Sequence, residues 1–460
     1  MMDLLEIAGA VGGTVVGGEP AGRAASSFVV DSRQVEPGAL FFAFRGQKQD
    51  GHSHISDAAA RGAVAAVVER VPEDGDLAAR EFPLIIVPDS LAALQKLARY
   101  WRDKLGLAVV AITGSVGKTT TKEVIGGVLS RRFRVLKTEG NLNTEIGMPL
   151  TLLRARPEHE VMVVEMGMYA LGEIRALARL ARPNLGVITN VGPTHLERLG
   201  SIERIAEAKS ELVQELGADG IAVLNFDDER VRGMASRTAA KTSFFGLDVR
   251  ADFWAGNVLS QGLGGIDFDL HHEAERVHVR TLLLGVHSVH ATLAAAAVAH
   301  NLGMSLEEIA AGLHEISPAL RLIVEEGVNG STIVDDSYNA SPASTLAALN
   351  LLADLDGRKV AVLGDMLELG PYTEEGHRMV GRRAADVADI LVVVGELAAI
   401  VGHEAIASGK NAGSVVFAES NNAAVERLLE LLGPGDCVLV KGSRGMRMEE
   451  IVEGIRCHTP

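Results

Sequence analysis

Residues 113 to 120 read Thr-Gly-Ser-Val-Gly-Lys-Thr-Thr, between the apolar run Leu107 to Ile112 and a helical pattern from Thr121 to Leu129. A strand that ends in a glycine turn and opens a helix presents backbone N–H groups and the positive end of the helix dipole to an anion. In such a loop a lysine reaches the β- and γ-phosphates of a nucleotide, and a threonine holds Mg²⁺. We therefore interpret residues 113–120 as a phosphate loop. Its predicted nucleotide-binding residues are Gly114, Ser115, Gly117, Lys118, Thr119 and Thr120.

One position departs from the full phosphate-loop pattern, which would place its first glycine at residue 112. Ile112 stands there instead. The alternative is an ordinary glycine-rich turn between a strand and a helix, but Gly-Lys-Thr at the start of a helix favours the nucleotide interpretation. The loop is thus a shortened variant, and the rest of the chain has to decide its type.

Composition limits the class of protein. The chain has 460 residues, more than one hydrophobic core usually supports, so about three domains are expected. A net charge of −16 argues against nonspecific nucleic-acid binding, because phosphate backbones need a basic surface. Only Cys437 and Cys457 occur, which gives neither a disulfide framework nor a metal motif. Since there is no signal-peptide pattern, no membrane-spanning run and no long apolar stripe, we expect a soluble, cytoplasmic monomer without membrane insertion.

Alternating strand and helix patterns predict an α/β protein of three domains. Residues 1–105 form a small N-terminal α/β domain that ends in a helix from Ser90 to Leu105. Residues 106–317 form a central parallel sheet of the P-loop ATPase type, with added antiparallel strands between residues 250 and 284. Residues 318–460 form a Rossmann-like, doubly wound C-terminal domain, joined through a hinge near Pro318. The predicted strands of the central sheet include 107–113, 161–165, 185–190 and 221–225.

Two of these strands lead into side chains that suit a phosphate or metal site. Glu165 ends the run 161–165, where a carboxylate would lie beside the phosphate loop and hold Mg²⁺; a helix cap is the alternative. His195 follows the run 185–190 at the carboxyl end of the sheet, the edge where ligands bind in open α/β sheets. A lone histidine is more often structural, so His195 alone does not decide the function.

Lys209 lies in a predicted helix from Ser201 to Leu216. Composition alone describes it as a solvated residue of the helix face, paired with a nearby glutamate. A lysine amine held neutral by burial could instead react with CO₂ to give a carbamate, an anion that binds metals. The local sequence leaves both interpretations open.

Polar loops supply the candidate substrate-binding residues. Asn143 and Thr144 lie between a strand and a helix, where plain turn chemistry is the alternative. Ser32 and Arg33, together with the stretch 46–52, concentrate small, polar and cationic residues in an otherwise apolar domain. Such loops suit a phosphate or a uridine, but solvated turns have the same composition.

Taken together, these motifs resemble the Mur ligases, the ATP-dependent amide-forming enzymes of peptidoglycan synthesis. The match runs from about residue 30 to about residue 452, and the shortened loop TGSVGKTT is the variant that this family uses. Three long stretches are similar to the branch that adds D-alanyl-D-alanine: DDSYNASP at 335–342, LGDMLELG at 363–370 and VKGSRGMRME at 440–449. The N-terminal stretches 31–38 and 50–52 are similar to the UDP-substrate domain of that branch and of the branch adding the third amino acid. The Asp-Asn-Pro-Arg signature expected for diaminopimelate addition does not occur.

The resemblance implies a role for each matching residue. Lys118 and Thr119 would bind the ATP phosphates and Mg²⁺, Glu165 one magnesium ion, and His195 with a carbamylated Lys209 a second. These residues form the catalytic and metal-binding set that the resemblance predicts. The UDP-substrate would lie near Ser32, Arg33, Asn143 and Thr144, and the nucleotide would meet Arg321, Asp336, Tyr338 and Asn339.

The chain departs from the family where adenine is recognised. At positions 288 and 291 the family usually has asparagine, whereas this chain has Ser288 and Ala291, which cannot copy the paired donor and acceptor of an amide. Base recognition is therefore looser here or depends on another residue, for which His290 is the candidate.

The expected reaction joins D-alanyl-D-alanine to UDP-N-acetylmuramoyl-tripeptide through an acyl phosphate formed with ATP. Within the family, the alternative is addition of lysine or diaminopimelate to the UDP-dipeptide. Folate-polyglutamating ligases share the central and C-terminal parts but not this N-terminal domain. A nucleotide-binding regulator or GTPase-like switch would carry a guanine-selecting Asn-Lys-x-Asp, which does not occur.

Overall fold

In the computed structural model, the described residues are 1–46, 50–71, 81–316 and 323–457. They form two compact units. The first comprises Met1–Ala111, Phe133–Gly167 and Glu173–Asn184, and the second comprises Ile112–Arg132, Met168–Gly172 and Leu185–Pro460.

Strands and helices alternate along both units. The strands are β1 (Met2–Asp3), β2 (Thr14–Val16), β3 (Ala24–Ala25), β4 (Ser27–Val29), β5 (Ala39–Phe42), β6 (Ala65–Val68), β7 (Leu84–Ile86), β8 (Ala108–Thr113), β9 (Val135–Lys137), β10 (Val161–Glu165), β11 (Leu185–Ile188), β12 (Ile221–Asn225), β13 (Lys241–Gly246), β14 (Phe253–Ser260), β15 (Ile266–His272), β16 (Glu275–Thr281), β17 (Ile323–Glu326), β18 (Thr332–Asp336), β19 (Lys359–Gly364), β20 (Ile390–Val394), β21 (Val415–Ala418) and β22 (Cys437–Lys441). The helices are α1 (Leu4–Val11), α2 (Ile55–Ala60), α3 (Ser90–Leu105), α4 (Lys118–Leu129), α5 (Gly147–Leu153), α6 (Glu173–Ala181), α7 (Leu196–Leu199), α8 (Ile202–Gln214), α9 (Glu229–Gly233), α10 (Val289–Asn301), α11 (Leu306–His314), α12 (Pro342–Asp354), α13 (Thr373–Val387), α14 (Ala398–Ala407), α15 (Asn421–Leu431) and α16 (Glu449–Ile455).

A five-stranded sheet forms the N-terminal part of the first unit. Its order is β2-β7-β6-β5-β4, with β2 antiparallel to β7 and the remaining neighbours parallel. Every residue of β5 and β6 is apolar and buried, as expected for inner strands of a parallel sheet covered on both faces. Helix α3 begins after Asp89, whose side chain accepts from Ala92 N–H, and ends at Gly106 in the left-handed region. Both signals are visible in the sequence, which explains why the predicted bounds of this helix are confirmed.

The first unit also contains β9 and β10, which run parallel. All five residues of β10 are buried, including Glu165 at its carboxyl end. A buried carboxylate at the end of an otherwise apolar strand needs a partner, and Asn143, which lies in the segment after β9, donates a hydrogen bond to it.

In the second unit, β11, β12, β13 and β14 pair in parallel, and β15 and β16 continue antiparallel. Helix α10 packs against α4. Its alanines are buried on all sides, and small side chains let two helices approach closely. The antiparallel pairing of β14 with β15 and of β15 with β16 confirms the antiparallel strands predicted between residues 250 and 284.

A six-stranded sheet with the order β17-β18-β22-β19-β20-β21 forms the C-terminal part of the second unit. Only β17 is antiparallel to its neighbour. Alternate residues of β19 enter two different apolar clusters, Ala361 and Leu363 in one and Val360 and Val362 in the other. A strand with two buried faces has helices on both sides, so the predicted doubly wound sheet is confirmed.

The predicted fold class, α/β with several parallel sheets, is confirmed, but some element bounds differ. Helix α4 begins at Lys118 rather than Thr121, because Gly117 takes up the left-handed conformation (φ 83°) that ends the loop. Strand β11 ends at Ile188, two residues earlier than predicted, because Thr189 and Asn190 bond to the phosphate loop instead of continuing the strand. The domain boundaries at 105/106 and 317/318 stay predictions, and the predicted hinge at Pro318 lies outside the described residues. Within the described ranges, no helix combines the length and the apolar character needed to cross a membrane.

Candidate active site

The phosphate loop leaves strand β8 without a glycine at residue 112. Ile112 is fully buried as the last but one residue of the strand, so the turn begins only at Gly114. A Cβ atom on Gly114 would lie 1.8 Å from Thr189 Oγ1, so that no larger residue fits. Gly117 then turns the backbone into α4, whose first residue is Lys118. The shortened loop is therefore a complete strand-to-helix turn with the geometry of an anion site.

Residues after β11 hold the phosphate loop in place. Thr189 Oγ1 and Asn190 Nδ2 donate to the carbonyl of Val116 at 2.7 and 2.9 Å, and Val116 N–H donates to Asn190 Oδ1 at 2.9 Å. Ser115 Oγ donates to Gly192 O at 3.0 Å and accepts from Gly192 N–H at 2.8 Å. Because the backbone N–H and the carbonyl of Val116 are both bonded to the neighbouring segment, the loop is preorganised before any ligand binds.

Lys118 lies over this loop. Its Nζ donates to Gly114 O at 2.9 Å and to Ser115 O at 3.4 Å. The ammonium group thus stays within the turn whose backbone N–H groups would receive an anion, as the phosphate-loop interpretation requires.

A cavity of about 330 Å³ opens beside the phosphate loop, entirely within the second unit. One wall comes from the loop, α4 and the segment after β11, and another from the start of α12. Thr194 Oγ1 lies in the lining, buried and without a hydrogen-bond partner among the described residues, which suits a polar ligand. The lining residues are Val116, Gly117, Thr120, Thr121, Thr189, Asn190, Val191, Gly192, Pro193, Thr194, Asn225, Phe245, His287, Ser288, His290, Ala291, Ser341, Pro342, Ala343 and Ala347.

The residues that depart from the family pattern lie in this cavity. Ser288 is buried, and its hydroxyl donates to Leu284 O at 2.8 Å. Ala291 has no polar group. His290 Nε2 lies 2.8 Å from Asp227 Oδ2. Because a carboxylate only accepts hydrogen bonds, Nε2 carries a proton, which leaves Nδ1 as the acceptor of a neutral imidazole.

His195 has left-handed backbone angles (φ 57°) at the start of α7. Its Nδ1 lies 2.7 Å from Glu368 Oε2, and its ring meets the ring of Tyr169 edge-on at 5.2 Å between centroids. Burial lowers the pKa of His195 below its ordinary value, with the charge of Lys118 acting in the same direction and Glu368 opposing it. The neutral imidazole, which is the form that binds metals, is therefore favoured.

Lys209 is buried in α8, with 2% of its surface exposed. Burial, together with the charge of Lys118, holds its pKa well below its ordinary value. Neither a hydrogen bond nor an ion pair of Lys209 is found across the described ranges. The solvated, paired lysine that composition alone describes is therefore wrong, because the structure buries this amine.

Glu165 belongs to the first unit, together with two predicted substrate-binding residues. Asn143 Nδ2 donates to Glu165 Oε1 at 3.0 Å, and Thr138 Oγ1 accepts from Glu165 N–H. Thr144 Oγ1 accepts from Gly147 N–H at 3.3 Å, at the start of α5. The structure thus brings Glu165 and Asn143 together, which the sequence alone could not show.

Ser32 and Arg33 also lie in the first unit, in a short 3-10 turn after β4. Arg33 is highly exposed and bonds to Asp31, whose pKa is lowered to about 2 chiefly by that side chain. Ser32 is buried, and its hydrogen bond lowers the pKa of Asp57. Both residues have internal partners, and their role toward a substrate stays a prediction. Of the stretch 46–52, residues 47–49 lie outside the described residues.

The C-terminal candidates gather at the carboxyl edge of the six-stranded sheet. Lys441 Nζ donates to Asp336 Oδ2 at 2.5 Å and to Asn339 O at 2.8 Å, and both charged residues are buried. Tyr338 is half exposed, with the guanidinium of Arg444 over its ring. Asn339 Oδ1 accepts from Ala340 N–H and Arg444 N–H. Arg321 lies outside the described residues.

The described part of the chain contains no group of three or more His, Cys, Asp or Glu side chains that could hold a metal ion. Mg²⁺ bound with a nucleotide usually takes one or two protein carboxylates and completes its shell with phosphate oxygens and water.

Sequence reasoning missed Thr189, Asn190, Glu368 and Lys441. Thr189 and Asn190 are the last two residues of the predicted strand 185–190, so their position at the ligand edge was a usable signal. Glu368 and Lys441 lie in quoted motifs, but their contacts depend on strand order, which the sequence pattern does not contain.

Three family models match successive parts of the chain: the Mur ligase family catalytic domain at residues 26–102, the Mur ligase middle domain at 112–299 and the Mur ligase glutamate ligase domain at 320–444. Their order corresponds to a three-domain architecture.

Characterised relatives extend the match over nearly the whole chain. The UDP-N-acetylmuramoyl-tripeptide–D-alanyl-D-alanine ligase of Bacillus subtilis (strain 168) is 37% identical over 430 residues, covering 92% of each chain. The crystal structure of MurF from Acinetobacter baumannii has a TM-score of 0.89 at 31% identity, over 98% of each chain. That of MurF from Thermotoga maritima in complex with ADP has a TM-score of 0.81 at 32% identity, over 93% of this chain and 96% of that one. Because both the domain models and the full-length relatives agree, the chain belongs to the Mur ligase family.

Proposed function

We propose that this chain is an ATP-dependent ligase that joins D-alanyl-D-alanine to UDP-N-acetylmuramoyl-tripeptide and so makes the UDP-pentapeptide precursor of peptidoglycan. The observation that carries the proposal is the end-to-end similarity to ligases of this specificity. The preorganised phosphate loop beside a cavity supports the use of ATP. The product serves cell-wall synthesis, and hence cell shape and division.

The reaction needs activation, because a carboxylate does not condense with an amine in water. Transfer of the γ-phosphoryl group of ATP to the terminal carboxylate of the tripeptide breaks the β,γ P–O bond and gives an acyl phosphate and ADP. The amino group of D-alanyl-D-alanine then attacks the acyl carbon and loses a proton. The tetrahedral intermediate collapses with cleavage of the C–O bond, leaving an amide and phosphate.

Residues of the second unit serve the phosphoryl transfer. The loop N–H groups and the start of α4 would bind the phosphates, while Lys118 would neutralise charge on the transferring group. His290, a residue of the cavity lining, is proposed to accept a hydrogen bond from the base through Nδ1, in place of the asparagines that the family uses. Asp336, Tyr338, Asn339 and Arg321 are proposed to meet the nucleotide from the C-terminal side.

Two magnesium ions complete the proposal: Glu165 would hold one, and His195 with a carbamylated Lys209 the second. Thr119 would bind Mg²⁺ together with the ATP phosphates. When bound, Mg²⁺ neutralises phosphoryl charge and orients the reacting oxygens. The buried, unpaired amine of Lys209 fits carbamylation, because only a neutral amine attacks CO₂, forming an N–C bond and releasing one proton. Lys209 then carries a negative charge that a buried cation requires.

The UDP-substrate is proposed to bind near Ser32, Arg33, Asn143 and Thr144. The enzyme is further proposed to act in the cytoplasm as a monomer, without binding nucleic acid.

The test follows phosphate release from ATP with UDP-N-acetylmuramoyl-tripeptide, with and without D-alanyl-D-alanine, and identifies the product by mass. Release that requires both substrates and yields the pentapeptide supports the proposal. A product formed only from the UDP-dipeptide and free lysine or diaminopimelate would assign the third-residue activity instead. Nucleotide turnover that does not depend on any amine substrate would indicate a nucleotide-binding regulator.

A further inference from the structure

Glu368 and His195 meet although 172 residues separate them in the chain. Each has left-handed backbone angles, with φ 63° and 57°, which cost about 1 kcal/mol or more for a residue with a side chain. Two such conformations at the ends of one hydrogen bond indicate that the surrounding structure enforces the contact. The two side chains lie 2.7 Å apart.

The segment 365–370, which carries Glu368, is fastened to the C-terminal sheet. Asp365 Oδ1 accepts from Ala398 N–H at 2.7 Å, Met366 N–H donates to His377 Nε2 at 3.1 Å, and Leu367 N–H donates to Ser443 Oγ at 2.8 Å. Glu368 therefore moves with the C-terminal sheet and not as a loose loop.

The same segment lies directly on α7. A Cβ atom on Gly370 would come within 2.9 Å of Glu197 N and 3.0 Å of Glu197 Cα, so glycine is what allows this approach. The contact between Glu368 and His195 thus forms where the C-terminal part rests on the helix that His195 opens.

The hydrogen bond decides which nitrogen of His195 can bind a cation. A carboxylate only accepts, so the proton lies on Nδ1 and the lone pair on Nε2. The edge-on ring of Tyr169, itself under the guanidinium of Arg198 at 4.5 Å, restricts rotation of the imidazole. A carboxylate that orients a histidine in this way commonly supports a metal ligand.

We propose that Glu368 is a positioning residue that holds His195 with Nε2 directed at a divalent cation, so that seating of the C-terminal sheet on α7 completes the metal site. The inference rests on the proposed function only in treating His195 as a metal ligand. The alternative is that the contact merely helps the two surfaces adhere.

The test measures Mn²⁺ binding to the full chain in the presence of a non-hydrolysable ATP analogue, by the electron paramagnetic resonance signal of free Mn²⁺. Glu368→Ala is expected to weaken binding about 10- to 100-fold. Glu368→Gln keeps an oxygen that accepts from Nδ1, so it is expected to retain most of the affinity. Glu419→Gln, which removes an exposed carboxylate directly after β21, is the matched control and is expected to bind as the unmodified chain does.

A second readout reports the tautomer directly. In ¹⁵N-histidine spectra, the signal that His195→Ala removes is expected to show a protonated Nδ1, and Glu368→Ala is expected to shift it toward the Nε2-protonated form. Unchanged Mn²⁺ affinity in Glu368→Ala or in His195→Ala, or an Nε2-protonated His195 in the unmodified chain, would overturn the inference. Equal losses for Glu368→Ala and Glu368→Gln would also overturn it, since charge and not position would then matter.

Failure of the proposed function gives a different pattern. If the chain makes no pentapeptide but Mn²⁺ binding still depends on Glu368, the substrate assignment fails and the positioning role stands. If the pentapeptide forms and Mn²⁺ binding does not depend on Glu368, the substrate assignment stands and the positioning role fails.

Discussion

The phosphate loop and the carboxyl edge of the C-terminal sheet both lie in the second unit, but different bonds hold them. Neutral hydrogen bonds from Thr189, Asn190 and Gly192 hold the phosphate loop. The sheet edge is held by an ion pair between Asp336 and Lys441, buried and 2.5 Å long. At the loop, burial and then the charge of Lys118 lower the pKa of Lys209 well below its ordinary value.

The difference distinguishes two roles: the phosphate loop is a receptor for an anionic ligand, and the carboxyl edge of the C-terminal sheet is a scaffold. The shape of a loop held by neutral bonds depends little on charge, while an edge that contains a buried ion pair depends on that pair for its shape. Lys118, at the start of α4, and Lys441, at the end of β22, therefore have different roles.

Breaking the ion pair tests the scaffold most severely. Lys441→Met leaves the buried carboxylate of Asp336 without its cation, and we expect a loss of about 3–5 kcal/mol in the free energy of unfolding, measured by urea denaturation. The double variant Asp336→Asn with Lys441→Met should recover part of that loss, because no buried charge remains. Equal destabilisation in both variants would show that the pair does not hold the edge.

At the phosphate loop the same kind of change should affect activity and not stability. We expect Lys118→Ala to lower the rate of amide formation about 10²- to 10³-fold, because phosphoryl charge is no longer neutralised, with little change in the urea midpoint. Lys96→Ala, which removes an exposed lysine, is the control. A large loss of stability in Lys118→Ala would contradict the distinction between receptor and scaffold.

A second ion pair, between Arg358 and Asp436, lies at the opposite end of β22. Burial alone would raise the pKa of Asp436, but hydrogen bonds from Arg358 and Gly433 N–H outweigh it and hold that pKa below its ordinary value. A depressed carboxyl pKa stabilises the fold above the unfolded-state value of about 3.9, and the contribution disappears as the pH falls through the folded-state value.

For this pair we expect Asp436→Asn to cost about 1.5–3 kcal/mol at neutral pH, with a difference that shrinks below about pH 4. Urea unfolding at several pH values measures it, and Asp219→Asn at an exposed site is the control. If the difference in unfolding free energy between Asp436→Asn and the unmodified chain did not change with pH, the charge of Asp436 would not explain its contribution to stability.

The smallest expected effect concerns the base. His290→Ala removes the acceptor Nδ1, and we expect ADP affinity to fall about 2- to 10-fold by calorimetry, as for one lost hydrogen bond. Inosine diphosphate, which lacks the exocyclic amine, should bind the variant and the unmodified chain alike. A similar loss for both nucleotides would assign His290 a role in the shape of the cavity instead.

Local signals predicted much of this structure. Helix α3 has its capping aspartate and its terminal glycine, strand β10 is a plain apolar run, and the phosphate loop is a motif with a known geometry. Each of these features depends on residues close together in the chain.

Contacts across the chain could not be predicted in this way. Strand β22, the last in sequence, inserts between β18 and β19, and only this crossover places Lys441 beside Asp336. The contact of Glu368 with His195 likewise depends on where the C-terminal sheet rests. The burial of Lys209 was missed for a related reason, because helical periodicity shows a face but not what covers it.

The cavity beside the phosphate loop has one wall from the start of α12, including Ser341, Pro342 and Ala347, and the opposite wall from the loop itself. A nucleotide seated there has to lose contacts with both walls when it departs. If the loss of those contacts limits the release of ADP, turnover is expected to slow in a viscous solvent even though no chemical step has changed.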